Sequence, residues 1–80
     1  MQTPSTARAL FASSLQPSER PTVEQAQAAV QDSLRRYAGV RGCAAYYASE
    51  YGEHPDIASA RMRWALTLAA QIARPARIAA

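Results

Sequence analysis

Apolar residues recur every three or four positions along much of this chain, and that spacing predicts α-helices. The clearest helix begins at Thr22, which stands three residues before Gln25 in the arrangement of a capping box. It ends near Gly39, a residue suited to a left-handed helix stop. The pattern therefore predicts a helix over residues 22–38, with one apolar stripe formed by Val23, Ala26, Val30, Leu34 and Tyr37.

Prolines and glycines divide the rest of the chain. Pro17 and Pro21 bracket a loop, Gly42 is expected to act as a hinge, and Gly52 is expected to close a short helix. These breaks predict three further helices, over residues 7–15, 43–51 and 55–73.

The predicted fold is therefore all-α: a small orthogonal bundle of three or four helices in a single domain over residues 7–73. Residues 1–6 are expected to be a flexible N-terminus, and residues 74–80 a flexible basic tail. An 80-residue chain has a small core and little stability to spare. One cysteine allows no internal disulfide, so oligomerisation is the remaining common way to stabilise such a domain.

The last predicted helix has an unusually wide apolar arc. Its polar side is narrow and is formed by Asp56, Ala60, Arg63, Thr67 and Gln71, whereas Ala58, Met62, Ala65, Leu66, Ala69 and Ile72 form the centre of the arc. One flank of the arc consists of Ile57, Trp64 and Leu68, which either belongs to the core of the monomer or forms half of a dimer contact.

Arg61 projects into this apolar arc. Its stem can lie along apolar surface while its head reaches water. Alternatively, its guanidinium pairs with Glu50 or Glu53 across the bend, and we favour this ion pair.

The junction between the last two helices has the lettering ASEYGEHPDIASARMRWA, from Ala48 to Ala65. Ala48 stands four residues before Gly52, as a small residue does at a helix-turn-helix corner. Residues 44–65 thus resemble the helix-turn-helix family of small bacterial proteins, and the resemblance implies a left-handed turn at Gly52 and DNA binding. Glu53 and Arg61 depart from it, since the family has aliphatic residues there.

The charge distribution bears on DNA binding. The chain has nine arginines, no lysine and a net charge of +3, and no acidic residue follows Asp56. Candidate phosphate-binding and base-reading residues are Arg41, Arg63, Arg74 and Arg77. Because Glu53 and Asp56 would repel phosphates, a dimeric helix-turn-helix DNA-binding regulator is the alternative function rather than the preferred one.

The preferred function is a non-enzymatic protein–protein interaction or assembly module with a role in regulation, whose partner is a second copy of the chain (a homodimer) or another protein. Tryptophan and arginine are enriched where proteins meet. The predicted partner contact comprises Ile57, Arg61, Trp64 and Leu68.

Other classes of function lack the residues they need. Cys43 and His54 are the only cysteine and histidine, which is too few for a zinc site, and no third catalytic group accompanies them. We therefore expect no enzymatic activity, metal, cofactor or small-molecule substrate. No run of residues is long and apolar enough to span a membrane, and no export signal is evident, which predicts a cytoplasmic protein. The arginine bias points to a high-GC bacterial genome.

Overall fold

A computed structural model describes residues 1–74, and four helices account for most of them. Helix α1 spans Thr3–Ala12, α2 spans Val23–Arg36, α3 spans Val40–Glu53 and α4 spans Pro55–Ala73, with a single 3-10 turn over Pro17–Glu19. The described part of the chain contains no strand. The predicted all-α fold is therefore confirmed, with four helices.

Helix α1 is the central element of the bundle and contacts each of the other three helices. Most of its residues are buried, and Leu10 is completely enclosed. The prediction of residues 7–15, with a flexible segment before it, was wrong at both ends. Six of its ten residues are buried, and Ser5 and Arg8 are half-buried, so its polar face is narrow and its periodicity is weak. Pro4 is compatible with a first helical turn. Ser13 ends the helix by donating a side-chain hydrogen bond to the Leu10 carbonyl oxygen over 2.6 Å.

Helix α2 begins with the predicted capping box. The Gln25 amide donates to the Thr22 hydroxyl oxygen over 3.1 Å, and the Thr22 amide donates to the Gln25 side-chain oxygen over 2.8 Å. The helix ends two residues before the predicted end, with Ala38 in the left-handed conformation at φ 61°. Gly39 follows at φ 94°, and its amide donates to the Leu34 carbonyl oxygen over 2.7 Å, so the stop uses both residues.

Helix α3 is longer than its predicted range of 43–51 and includes both of its glycines. Gly42 is not a hinge: a Cβ atom at this position would lie 1.4 Å from the Tyr37 carbonyl oxygen, so a glycine lets the start of α3 approach the end of α2. Gly52 lies within the helix, and Gly39 is the only glycine with positive φ in residues 1–74. The left-handed turn expected at Gly52 was therefore wrong, and His54 alone connects α3 to α4.

Helix α4 has the bounds that the sequence predicts, with Pro55 as its first residue. Its predicted polar side is exposed throughout, whereas Ala58, Ala65 and Ala69 are buried. Leu66 differs from the prediction, because it is 42% exposed although it was assigned to the centre of the apolar arc. The core-facing sector of α4 is thus narrower than predicted.

Candidate functional site

A cavity of about 150 Å³ lies where the end of α3 meets the start of α4. Helix α3 contributes residues at four-residue spacing, which places them on one side of the helix. Helix α1 contributes an aromatic ring and α4 contributes its first two turns. The lining residues are Phe11, Tyr46, Glu50, His54, Ile57, Ala58 and Arg61.

Ile57 beside this cavity is 70% exposed although it lies on the core-facing side of α4. It is four residues before Arg61 and eleven before Leu68, so all three residues lie nearly whole turns apart on one side of the helix. Leu68 is only 5% exposed. The chain therefore covers this side of α4 near its end and leaves it open at its first turn.

The inner wall of the cavity is an aromatic cluster. The Phe11 ring packs edge-on against Tyr47 and Tyr46, with centroid separations of 5.0 and 6.0 Å. Tyr37 lies 5.0 Å from Tyr46, which extends the cluster to the end of α2. Edge-to-face pairs of this kind favour a defined arrangement of rings. The wall of the cavity is thus formed within the free chain.

Glu50 is held in place at the cavity by Tyr46. The Tyr46 hydroxyl donates a hydrogen bond to one Glu50 carboxylate oxygen over 3.0 Å. Burial, this hydrogen bond and the negative charge of Glu50 raise the pKa of the Tyr46 hydroxyl. Tyr46 therefore remains a proton donor at neutral pH and fixes the carboxylate at the rim.

The junction of α3 and α4 carries a local excess of negative charge. Three of the six acidic residues of the chain, Glu50, Glu53 and Asp56, lie within seven positions, and Glu53 and Asp56 are exposed. No arginine or lysine occurs between Arg41 and Arg61. Within residues 1–74, ion pairs join only Asp32 to two arginines of α2. We call the cavity, Ile57, Glu50 and Glu53 the corner surface, because Glu53 follows Glu50 by three residues and so lies on the same side of α3.

Arg61 does not make the predicted ion pair with Glu50 or Glu53. Instead, its Nε donates to the Phe11 carbonyl oxygen over 2.9 Å, and its Nη2 donates to the carbonyl oxygens of Ser13 and Leu15 over 2.8 and 2.9 Å. The guanidinium carbon lies 4.8 Å from the centroid of the Trp64 ring. Burial lowers the pKa of the Arg61 guanidinium, but an arginine in a protein stays protonated at neutral pH. Arg61 therefore caps the carbonyl end of α1.

The four residues predicted as a partner contact do not form one exposed surface. Leu68 belongs to the core, Arg61 is bound to the end of α1, and Trp64 is half-buried. Trp64 also lines a second cavity of about 280 Å³ together with Pro17, Arg20, Pro21, Thr67, Leu68 and Gln71. Only Ile57 retains the exposure that a contact with another molecule requires.

The predicted nucleic-acid-binding residues are exposed where the structure describes them. Arg41 lies in the first turn of α3, Arg63 and Arg74 lie eleven residues apart on or just beyond α4, and Arg77 lies outside the described residues. Asp56 lies seven residues before Arg63, hence on the same side of α4. The arginines of α4 therefore share their exposed side with a carboxylate.

Sequence reasoning did not identify the cavity, although it noted some of its parts. Phe11 is the only phenylalanine of the chain, and nothing near it in the sequence indicates that its ring packs against α3. Cys43 is completely buried and its thiol donates to the Ser33 carbonyl oxygen over 3.7 Å, whereas His54 lines the cavity. Within residues 1–74, no three histidine, cysteine or acidic side chains lie close enough to hold a metal ion.

No protein-family model, curated protein sequence or solved structure matches the chain. None of the four described helices has the length and apolar character needed to cross a bilayer.

Proposed function

We propose that this chain is a non-enzymatic interaction module that binds another protein at the corner surface. The observation that carries the proposal is the exposure of Ile57 on the core-facing side of α4, beside an open cavity walled by Phe11 and Ala58. An uncovered apolar side chain beside a preformed pocket supports the proposal, because a partner that inserts a side chain there buries both from water.

The chemistry of the corner surface favours binding over catalysis. The Glu50 carboxylate is engaged by Tyr46, and the Arg61 guanidinium is engaged by backbone carbonyl groups. Both groups are thus fixed in structural hydrogen bonds. The single cysteine lies in the core, away from the cavity, and a free thiol suits the reducing cytoplasm as the compartment of this module.

Duplex DNA is the alternative ligand, and the charges near α4 favour a protein instead. Affinity for DNA depends on the phosphates that a protein neutralises. Asp56 shares the exposed side of α4 with Arg63, and Glu53 immediately precedes the His54 connection. Carboxylates at these positions repel the phosphates that the arginines would attract.

Photo-crosslinking tests the proposal directly. A photoreactive phenylalanine analogue replaces Ile57 in one variant and Leu66 in another, because Leu66 is also exposed but lies on the opposite side of α4. We expect one defined protein adduct in cells from position 57 and none from position 66. The purified adduct partner should then bind the native chain about tenfold or more tightly than it binds Ile57→Ser. Equal labelling from both positions, or equal affinity of both chains, would contradict the proposal.

A further inference from the structure

We infer that the partner of the corner surface is a basic amphipathic segment, with one apolar side chain that enters the cavity beside Ile57. Its lysine or arginine side chains face Glu50 and Glu53. This inference rests on the proposed function and adds the chemistry of the partner to it.

The charge of the corner surface selects a basic partner. The chain as a whole has a net charge of +3, yet residues 42–60 contain three carboxylates and no arginine or lysine. Within the described residues, none of these three carboxylates lies within 4 Å of a cationic nitrogen. Complementary charge both steers a partner to such a surface and disfavours partners of the same sign.

Glu53 is placed against the local preference of its helix. It is the last residue of α3, and the last turn of this helix contains no basic residue. The C-terminal end of α3 carries partial negative charge and disfavours a carboxylate, whereas the N-terminal end of α4, which begins two residues later, favours one. Departures from local preference are expected where a residue serves binding rather than folding.

The cavity has the size of one apolar side chain. Its volume is about 150 Å³, and an apolar cavity of that size in another protein holds a benzene molecule. Leucine, methionine or phenylalanine therefore fits. A helical partner that presents such a residue with basic residues three or four positions away would meet both the cavity and its acidic rim.

Arg61 also lines the cavity, but its positive charge does not prevent a basic partner from binding there. Its guanidinium is bound to three carbonyl oxygens at the end of α1 within 3.0 Å, where the helix dipole carries partial negative charge. The cation is thus compensated inside the chain, whereas Glu53 and Asp56 are exposed.

A second copy of the chain fits the corner surface less well than a basic partner. A twofold contact places the same patch of both copies together. The Glu50 and Glu53 carboxylates of the two copies would then come together, and such like-charge contacts are unfavourable. Self-association through Ile57 is therefore a contrary outcome of the experiment below.

The experiment uses the full chain and a fluorescent synthetic helix with leucines on one face and lysines on the other. A second peptide replaces every lysine with glutamate, and a third replaces every leucine with glutamine. Fluorescence anisotropy gives the affinities for the native chain and for Ile57→Ser, Glu53→Gln and the control variants Leu66→Ser and Glu24→Gln. Sedimentation of the chain alone tests for a dimer, and a separate titration with duplex DNA tests for DNA binding.

The inference predicts that only the leucine–lysine peptide binds, and that added salt weakens its binding. Ile57→Ser should reduce the affinity about tenfold or more and Glu53→Gln about twofold to fivefold, with both control variants unchanged. If the glutamate peptide binds more tightly and Ile57→Ser weakens its binding, the partner is not basic. The proposal that a partner docks at the corner surface would still stand. The inference would be overturned if no peptide binds or if Ile57→Ser leaves peptide binding unchanged. It would also be overturned by a dimer that depends on Ile57, or by binding of duplex DNA in place of the peptide.

Discussion

The Nε of Arg61 donates a hydrogen bond of 2.9 Å to the carbonyl oxygen of Phe11, fifty positions earlier in the chain. Through this contact a side chain of α4 caps the end of α1, whose last carbonyl groups have no partner within their own helix. The same Phe11 contributes its ring to the wall of the cavity. The end of the central helix and the corner surface are therefore fixed by one arginine.

Replacing Arg61 should destabilise the fold more than any exposed substitution. Arg61→Ala leaves the carbonyl oxygens of Phe11, Ser13 and Leu15 without their donor and should lower the free energy of unfolding by about 2–4 kcal/mol. Arg61→Lys should recover only part of this loss, because an ammonium group cannot present the same planar set of donors. Urea denaturation measures both variants, and an equal stability for Arg61→Lys and the native chain would contradict the capping role.

The left-handed residue at the end of α2 offers a stabilising substitution. Ala38 has φ 61° and is exposed, so Ala38→Gly relieves backbone strain without loss of packing. We expect the free energy of unfolding to rise by about 0.5–1 kcal/mol. Ala45→Gly, at an exposed position within α3, should instead lower it by about the same amount. Thermal denaturation of both variants tests whether the two substitutions change the free energy of unfolding in opposite directions.

Glu53 should oppose folding slightly while it supports binding. Because it lies at the negative end of α3, Glu53→Gln should raise the free energy of unfolding by about 0.3–1 kcal/mol at low salt. Glu24 lies in the first turn of α2, where a carboxylate is favourable, so Glu24→Gln should lower stability by a similar amount. Destabilisation by Glu53→Gln would mean that Glu53 has a structural partner and would remove one argument for the basic ligand.

The Cys43 thiol should be protected in the folded chain. Its side chain is completely buried, and burial raises the pKa of the thiol. The folded state therefore retains this proton more strongly than the unfolded state does, and stability should fall as pH rises above the ordinary thiol value of about 8.5. The stability difference between the native chain and Cys43→Ala should shrink over this range, whereas fast labelling by a thiol reagent in native buffer would contradict the burial of Cys43.

The sequence predicts best those structural features that depend on residues close together in the chain. The capping box of Thr22 and Gln25 and the start of α4 at Pro55 involve only residues within a few positions of each other, and both predictions are confirmed. In contrast, the predicted bounds of α1 were wrong, because most of its residues are buried and apolar and polar positions do not alternate clearly. Gly42 was misread as a hinge because its close contact with the Tyr37 carbonyl group depends on how two helices meet.

The candidate site depends still more on tertiary contacts. The partner of Arg61 lies fifty positions away, so nothing near Arg61 in the sequence distinguishes an ion pair with Glu50 from a cap on α1. Ile57 and Leu68 have the same helical placement and similar chemistry, yet one is exposed and the other belongs to the core. The difference depends on which part of α4 the rest of the chain covers, and spacing within α4 does not record that.

Methyl and amide NMR of the full chain, titrated with the leucine–lysine peptide, tests the central claim most directly. We expect the largest chemical-shift changes at the Ile57 methyl groups and at Phe11, Glu50 and Ala58, with Leu66 and Arg63 unchanged. Shift changes centred on Arg41, Arg63 and Arg74, or no change at Ile57 at saturating peptide, would contradict the claim that the corner surface is where this chain binds its partner.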